Sequence, residues 1–320
     1  MGSVNNSVEN HGNNSGFWVG INHGHIHLAS EKLPVAADAA FNAHGNDHLG
    51  CLPGTRTEIL DAINKWAKST SRESIFCWVT GGAGTGKSSI ASEAARTLDK
   101  EGLLGASFFF KRVSELKPLL ANAIEENPDI AERSLKEQWE RLCLRPLLAL
   151  EHDRTIARVV VIDALDECDS EIHRDDLTTI LQLLPQVQQA KSLLLRFVLT
   201  GRPERSIGLA LGKTEPYLYR VNLNNVHQQA IDRDIFTFLE HRLSEIRAQH
   251  QLDNGWPGNE ALNWLLDRAR PLFIAAVTLC RFIGDTNWDP EERLEAVLED
   301  QTHYVSKLDE VYLPVLRQIT

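Results

Sequence analysis

The sequence predicts an α/β protein: a parallel sheet with helices on both faces, an all-helical subdomain after it, and a disordered N-terminal tail before it. Three observations carry this. Between residues 51 and 225, short and almost wholly apolar runs alternate with segments of three-to-four spacing, and strands apolar throughout belong to sheets covered on both faces. After Val226 the apolar runs stop and only helical spacing remains. Before residue 50 the chain is rich in Asn, Gly and His and nearly uncharged. Such a segment buries too little apolar surface to offset the cost of ordering its backbone. The expected division is therefore a tail at 1–30, a linker at 31–50, an α/β core at 51–225 and a helical subdomain at 226–320.

The elements follow in order. Thr55 to Lys68 has Ile59, Leu60, Ile63 and Trp66 on one helical face. Ile75 to Val79 is a buried-strand run that ends in glycines. Ser88 to Leu98 is helical, and Ala106 to Phe110 is the second strand. Helices fill about Glu115 to Leu150, interrupted near Pro128. Val159 to Ile162 and Leu193 to Thr200 are the third and fourth strands, and Tyr217 to Leu223 the fifth. The helical subdomain comprises Ile231–Arg247, Asn259–Ala269, Leu272–Ile283, Glu291–Leu298 and Val305–Ile319.

Composition narrows the function. The chain of 320 residues carries 44 acidic against 33 basic side chains, net −11, so it lacks the positive field of a nucleic-acid binder. No apolar run reaches the ~18 residues that span a bilayer, and the N-terminus has neither a secretory nor a myristoylation pattern. Cys51, Cys77, Cys143, Cys168 and Cys280 are widely spaced with no C-x-x-C pair, which suits free thiols in a reducing compartment. A cytoplasmic protein with no membrane partner is expected.

Gly81-Gly82-Ala83-Gly84-Thr85-Gly86-Lys87-Ser88 fits G-x-x-x-x-G-K-[ST] at every fixed position, with an apolar strand before it and a helix after it. Glycines let the backbone wrap phosphate oxygens, so that N–H groups and the helix N-terminus face the anion. Lys87 is placed to reach the β- and γ-phosphates and Ser88 to hold Mg²⁺, with Ser89 in the same turn. The plainer alternative is a glycine-rich turn ahead of a helix. Val159 to Asp163 is a strand ending in a carboxylate, a second Mg²⁺ ligand. Beyond it, Glu167 is the first choice for the base that polarises water and Asp166 its competitor, unless Asp166 caps the next helix. Phe197 to Arg202 is a strand ending in Thr-x-Arg, able to bring the Arg202 guanidinium beside a γ-phosphate. Together these features predict a P-loop NTPase core.

Cys51-Leu52-Pro53-Gly54-Thr55-Arg56, Trp66 and Phe76 to Ser88 resemble the fungal NACHT-type NTPases, and more narrowly the nephrocystin-3-like N-terminal NTPase domain. Leu104 to Phe110, Ile162 to Cys168, Thr200 to Glu204 and Leu272 to Ile283 resemble it too. The resemblance implies a STAND-type switch of the NOD-like receptor kind. Such a switch holds ADP when off, binds ATP and self-associates through the NTPase domain when on, and hydrolyses slowly, in innate immunity or cell-death signalling. Lys87, Ser88, Asp163, Glu167 and Arg202 match the family's nucleotide-handling positions. Thr55 and Arg56 match part of its purine pocket; from the residues alone they read equally as a helix cap and a surface charge. The family's sheet puts the strands of the glycine loop and of Asp163 on either side of the strand ending at Thr200. This sequence departs from the family in its short Lys111-Arg112-Val113-Ser114 bridge and in Pro271 where Gly is usual. The resemblance also implies a winged-helix and repeat region beyond Thr320.

In the tail, residues 13–24 alternate apolar and small polar side chains without charge or proline, the pattern of segments that stack as cross-β, and residues 13–28 are the span expected to template a partner. They resemble the prion-like amyloid motifs of fungal NOD-like receptors, which template a partner; an inert tail is the alternative. His23, His25 and His27 share one strand face, an arrangement that binds metal more often adventitiously than as a site. Two other functions compete with the switch: a non-catalytic amyloid adaptor with a degenerate core, and a P-loop small-molecule kinase.

Overall fold

A computed structural model describes residues 50–107, 125–127, 129–149, 156–168, 174–191, 193–212 and 217–299. The tail, with residues 13–28 and its three histidines, lies outside the described residues. So do the linker to residue 49, the bridge after Phe110 and the helix expected at 305–319.

Five parallel strands form the core sheet: β1 Phe76–Thr80, β2 Leu104–Ser107, β3 Ile156–Ile162, β4 Leu193–Gly201 and β5 Leu218–Asn222, in the order β2-β3-β4-β1-β5. β4 thus lies between β1 and β3, as the resemblance implies. Phe76 and Trp78 of β1 and Phe197 and Leu199 of β4 point to one face. There they pack on α3 (Leu135–Leu148), α4 (Arg174–Leu183) and α5 (Arg205–Gly212) through Trp139, Leu147, Leu177, Leu181, Ile207 and Leu211. The alternate residues Cys77, Val79, Val159, Val161 and Val198 point to the other face. They meet Ile59, Ile63 and Trp66 of α1 (Thr57–Lys68) and Ile90, Ala94 and Leu98 of α2 (Lys87–Lys100). The period-two alternation of side chains along each strand thus supplies both layers.

The helix α3 is continuous but irregular: Leu135–Gln138, a π-helical stretch Trp139–Leu144, then Arg145–Leu148. Pro146 has no N–H to donate back, and the preceding turn widens so that Arg145 N–H reaches Glu140 O.

The structure corrects several expectations. β2 begins at Leu104 rather than Ala106, because its register against β3 runs Leu104↔Val159, Ala106↔Val160 and Ser107↔Val161. β5 is an edge strand with Tyr219 and Arg220 exposed, so not every strand is apolar. α4 and α5 were not expected from periodicity, yet parallel neighbours need a crossover, and a helix provides it.

Among the described residues, the helical region comprises α6 (Gln228–His250), α7 (Asn259–Ala269), α8 (Phe273–Ile283) and α9 (Pro290–Glu299). Its core is the stripe Ile231, Ile235, Leu239, Leu243 and Ile246 of α6 against Leu265, Ala276, Leu279, Ile283 and Val297. No described helix is long and apolar enough to cross a membrane.

Candidate functional site

The site lies at the C-terminal ends of β1, β3 and β4, where open parallel sheets bind ligands. Beyond Thr80 the chain turns through Gly81 to Gly86 into α2. Gly84 and Gly86 have φ of 73° and 89°, a left-handed conformation costly for residues with a Cβ. The first i→i−4 bond of α2 is Ile90 N–H to Gly86 O, at 3.0 Å. Lys87, Ser88 and Ser89 therefore begin the helix with N–H groups that have no intrahelical acceptor. Thr85 Oγ1 donates to Gly82 O at 2.9 Å and closes the loop on itself.

Lys87 Nζ folds over that loop and donates to Gly81 O at 3.0 Å and Gly82 O at 2.9 Å. Burial pulls its ammonium below the ordinary lysine range. Arg202 pushes the same way, while Asp166 and Asp163 oppose.

The ends of β3 and β4 are cross-tied twice. Thr200 Oγ1 donates to the Asp163 carboxylate and accepts Ala164 N–H at 2.9 Å. Ala164, at φ 59°, turns the chain out of β3 into the 3₁₀ turn Leu165–Cys168. In that turn one Asp166 oxygen accepts Arg202 N–H at 3.1 Å, and the other lies 3.0 Å from Arg202 Nε in an ion pair. Asp166 is therefore not a helix cap. Gly201 lets β4 come this close: an added Cβ would lie 2.7 Å from Trp78 Cη2 and 3.2 Å from Asp166 Oδ1. Glu167 is exposed, and its N–H closes the turn onto Ala164 O at 3.0 Å.

Thr55 and Arg56 are both buried, which overturns the cap and surface-charge alternative. Thr55 Oγ1 donates to Leu52 O at 2.7 Å instead of capping α1. Arg56, at φ 57°, makes three ties: its N–H donates to Asp234 of α6 at 3.0 Å, its Nη2 to Thr85 O at 2.8 Å, and its guanidinium stacks 4.3 Å from the Phe273 ring. Its Nη1 is buried without a partner among the described residues. Next to Phe273, Ile274 N–H donates to Gly84 O at 3.2 Å. Here again glycine is required, since a Cβ on Gly84 would overlap Ile274 Cγ2 and sit 2.9 Å from its Cβ. Cys51 is a poor nucleophile, its thiol pushed up to about 12 chiefly by burial, with Glu93 next.

The residues present suit a nucleoside phosphate with its cation. The loop offers an ammonium held, among the described residues, only by the loop's own carbonyls, and a helix start whose first N–H groups have no intrahelical acceptor. Asp163 and Ser88, the latter exposed in the first turn of α2, supply oxygen ligands of the kind Mg²⁺ takes. Glycines, lysine and acids stand where their spacing put them. Asp234, Phe273, Ile274 and Trp78 were not anticipated. The one signal for Asp234 was a carboxylate in the apolar stripe of α6, between Ile231 and Ile235.

The family model described as "Nephrocystin 3, N-terminal" matches residues 54–123 and 111–202. That span takes in the glycine loop, the Asp163–Glu167 turn and Arg202, and stops before α5. No curated protein matches the chain. Among solved structures, domain III of the Thermotoga maritima replication initiation protein DnaA is similar at 10% identity and a TM-score of 0.42, over 89% of this chain and 98% of that one. DnaA from Aquifex aeolicus bound to AMPPCP is similar at 9% identity and 0.38, over 84% and 88%. C. elegans PCH-2 is similar at 14% identity and 0.41, over 82% and 68%.

Proposed function

We propose that this chain is an ATP-binding signalling switch of the NOD-like receptor type, in which exchange of ADP for ATP and slow hydrolysis control self-association. The observation that carries the proposal is the direct tie between the glycine loop and the helical region. Ile274 N–H is bonded to Gly84 O, and Arg56 joins Thr85 O to Asp234 and Phe273. A ligand that reshapes the loop has to alter those contacts, so occupancy of the loop and placement of α6 and α8 bias one another.

In this scheme Gly81 to Ser89 cradle the phosphates, and Lys87 exchanges its two carbonyl partners for phosphate oxygens. Ser88 and Asp163 hold the cation; Mg²⁺ neutralises the charge on the β- and γ-oxygens when bound. Glu167, exposed and unpaired among the described residues, is the group that orients water. Residues 51–225 and 226–320 act as the two bodies of the switch. Residues 13–28 template a partner when the tails are gathered. The resemblance to fungal NACHT NTPases supports this finer reading, and the nephrocystin-3 match supports its family.

The test is the nucleotide content of the purified full chain against Lys87→Ala. Retained ADP, turnover well under ~10 s⁻¹, and an affinity loss on the order of 100-fold in the variant are expected. A wild-type chain as empty as the variant would refute the switch. For the tail, a peptide of residues 1–30 is expected to form fibres with a cross-β diffraction pattern; one that stays soluble at high concentration removes the templating role.

A further inference from the structure

We propose that Asp166 is a positioning residue that holds the Arg202 guanidinium in reserve, and that a third phosphate draws Arg202 off it, so that the Asp166–Arg202 pair distinguishes a nucleoside triphosphate from a diphosphate. This rests on the nucleotide-switch reading of the same site and names what within it senses the γ-phosphate.

The geometry is specific. The two Asp166 oxygens meet one residue at two points: one accepts the backbone N–H of Arg202 and the other forms an ion pair with its Nε. Holding both fixes the backbone of the β4 end as well as the direction of the side chain. The partners differ in exposure: the Arg202 side chain is 54% exposed and that of Asp166 only 12%. The carboxylate is therefore the fixed member, and the arginine the one free to swing.

A pair open to solvent on the arginine side is weak and exchangeable. A phosphate, which guanidinium also binds in bidentate fashion and which carries more charge, competes for it effectively. The competing anion arrives in the right place. Lys87 is the side chain that reaches the β- and γ-phosphates in a loop of this kind, and both Asp166 and Arg202 act electrostatically on its ammonium. A diphosphate satisfies the loop and Lys87 and leaves Arg202 on Asp166. A triphosphate adds charge beside that pair.

Asp166 is also poorly placed as the water-activating base while Arg202 occupies both its oxygens. Glu167, one residue on, is exposed and carries no such partner among the described residues. The two adjacent acids thereby take separate roles. Thr200 ties the neighbouring Asp163 independently, so loosening Arg202 need not disturb the carboxylate proposed for the cation.

The experiment measures equilibrium binding of ADP and of AMPPCP to the full chain, with and without Mg²⁺. It compares wild type, Asp166→Asn, Arg202→Gln and the double variant, with a thermal melt of each. Asp166→Asn is close to isosteric and frees Arg202, so AMPPCP affinity is expected to rise relative to ADP by roughly five-fold. Arg202→Gln is expected to lower that ratio, and adding Asp166→Asn to it to change nothing further. If Asp166→Asn does not fold, Asp166→Glu misaligns the same pair and should raise the ratio by a smaller factor.

A ratio unmoved by Asp166→Asn, or moved equally in the Arg202→Gln background, overturns the proposal. So does a loss for both nucleotides seen only with Mg²⁺, which would make Asp166 a metal ligand. A wild-type chain that binds both nucleotides with a ratio indifferent to Asp166 refutes this inference alone; one that binds neither refutes the switch as well.

Discussion

Strand β4 carries an arginine near each end, and the two are held in opposite ways. Arg196, 1% exposed, sends Nη1 to Ala67 O and Nη2 to Ser71 O, both at 2.6 Å, and lies 5.5 Å from the Trp66 ring. Its partners are backbone carbonyls at and just beyond the C-terminus of α1, where a cation is also favoured by the helix dipole. Burial pulls its guanidinium below the ordinary range. Arg202, beyond the other end of the strand, is half exposed and rests on one carboxylate. The carbonyls that hold Arg196 lie at the far end of the strand from the cleft, where no anion arrives to compete, whereas a carboxylate at the solvent-facing cleft can be displaced by another anion. The sheet thus has an end that is bolted and an end that is latched.

The sharpest way to break this contrast is Arg196→Met. It leaves the buried Ala67 carbonyl without its donor, frees the Ser71 carbonyl at the exposed end of the tie, and empties the site of a buried guanidinium, so a loss of about 2 kcal/mol in unfolding free energy is expected. Urea denaturation measures it. The ADP-to-AMPPCP affinity ratio should stay at its wild-type value, because the tie lies at the opposite end of the strand from the site. A shift in that ratio would mean the two ends are coupled through β4 and the contrast is false.

Gly84→Ala probes the latched end where the helical region meets the loop. The left-handed φ costs about 1 kcal/mol for alanine, and the clash with Ile274 adds a comparable amount, about 2 kcal/mol together. Ile274→Ala in the same chain should recover the part due to the clash and leave the part due to φ. Recovery of nothing would show that Ile274 already gives way, and that the loop and α8 are less firmly joined than the Gly84–Ile274 bond suggests.

What the sequence made legible follows from how local each feature is. The glycine loop and its lysine must be contiguous, because their chemistry is performed by successive backbone N–H groups, and all of it was readable. Asp163 and Arg202 were readable because each ends an apolar strand. The Arg56–Asp234 bond, which joins residues 178 apart in sequence, left no local trace beyond one acid in an apolar helical stripe. β2 was placed two residues late because the aromatic run Phe108 to Phe110 outweighed Leu104, whose pairing with Val159 of β3 opens the register. α4 does carry a helical repeat, Leu177, Ile180, Leu181 and then Leu184, that went unread, whereas α5 has Gly208 inside it and ends at Gly212, so that parallel topology rather than periodicity demands it.

The smallest effect on stability is expected at Arg202, and it is the direct counterpart of the largest. Arg202→Met removes a side chain that is half exposed and contributes a solvent-screened ion pair, so unfolding free energy should change by less than about 0.5 kcal/mol. The backbone N–H of residue 202 still reaches Asp166, and Gly201 still packs on Trp78, so the turn keeps its shape. The same substitution removes the guanidinium that a third phosphate would claim, and the preference for AMPPCP over ADP should fall while ADP affinity holds. Two arginines of one strand would then divide cleanly, one costly to stability and silent in binding, the other the reverse. If Arg202→Met instead destabilises the chain as much as Arg196→Met, then Asp166–Arg202 is a second bolt, and the cleft is held shut by structure rather than kept ready for a ligand.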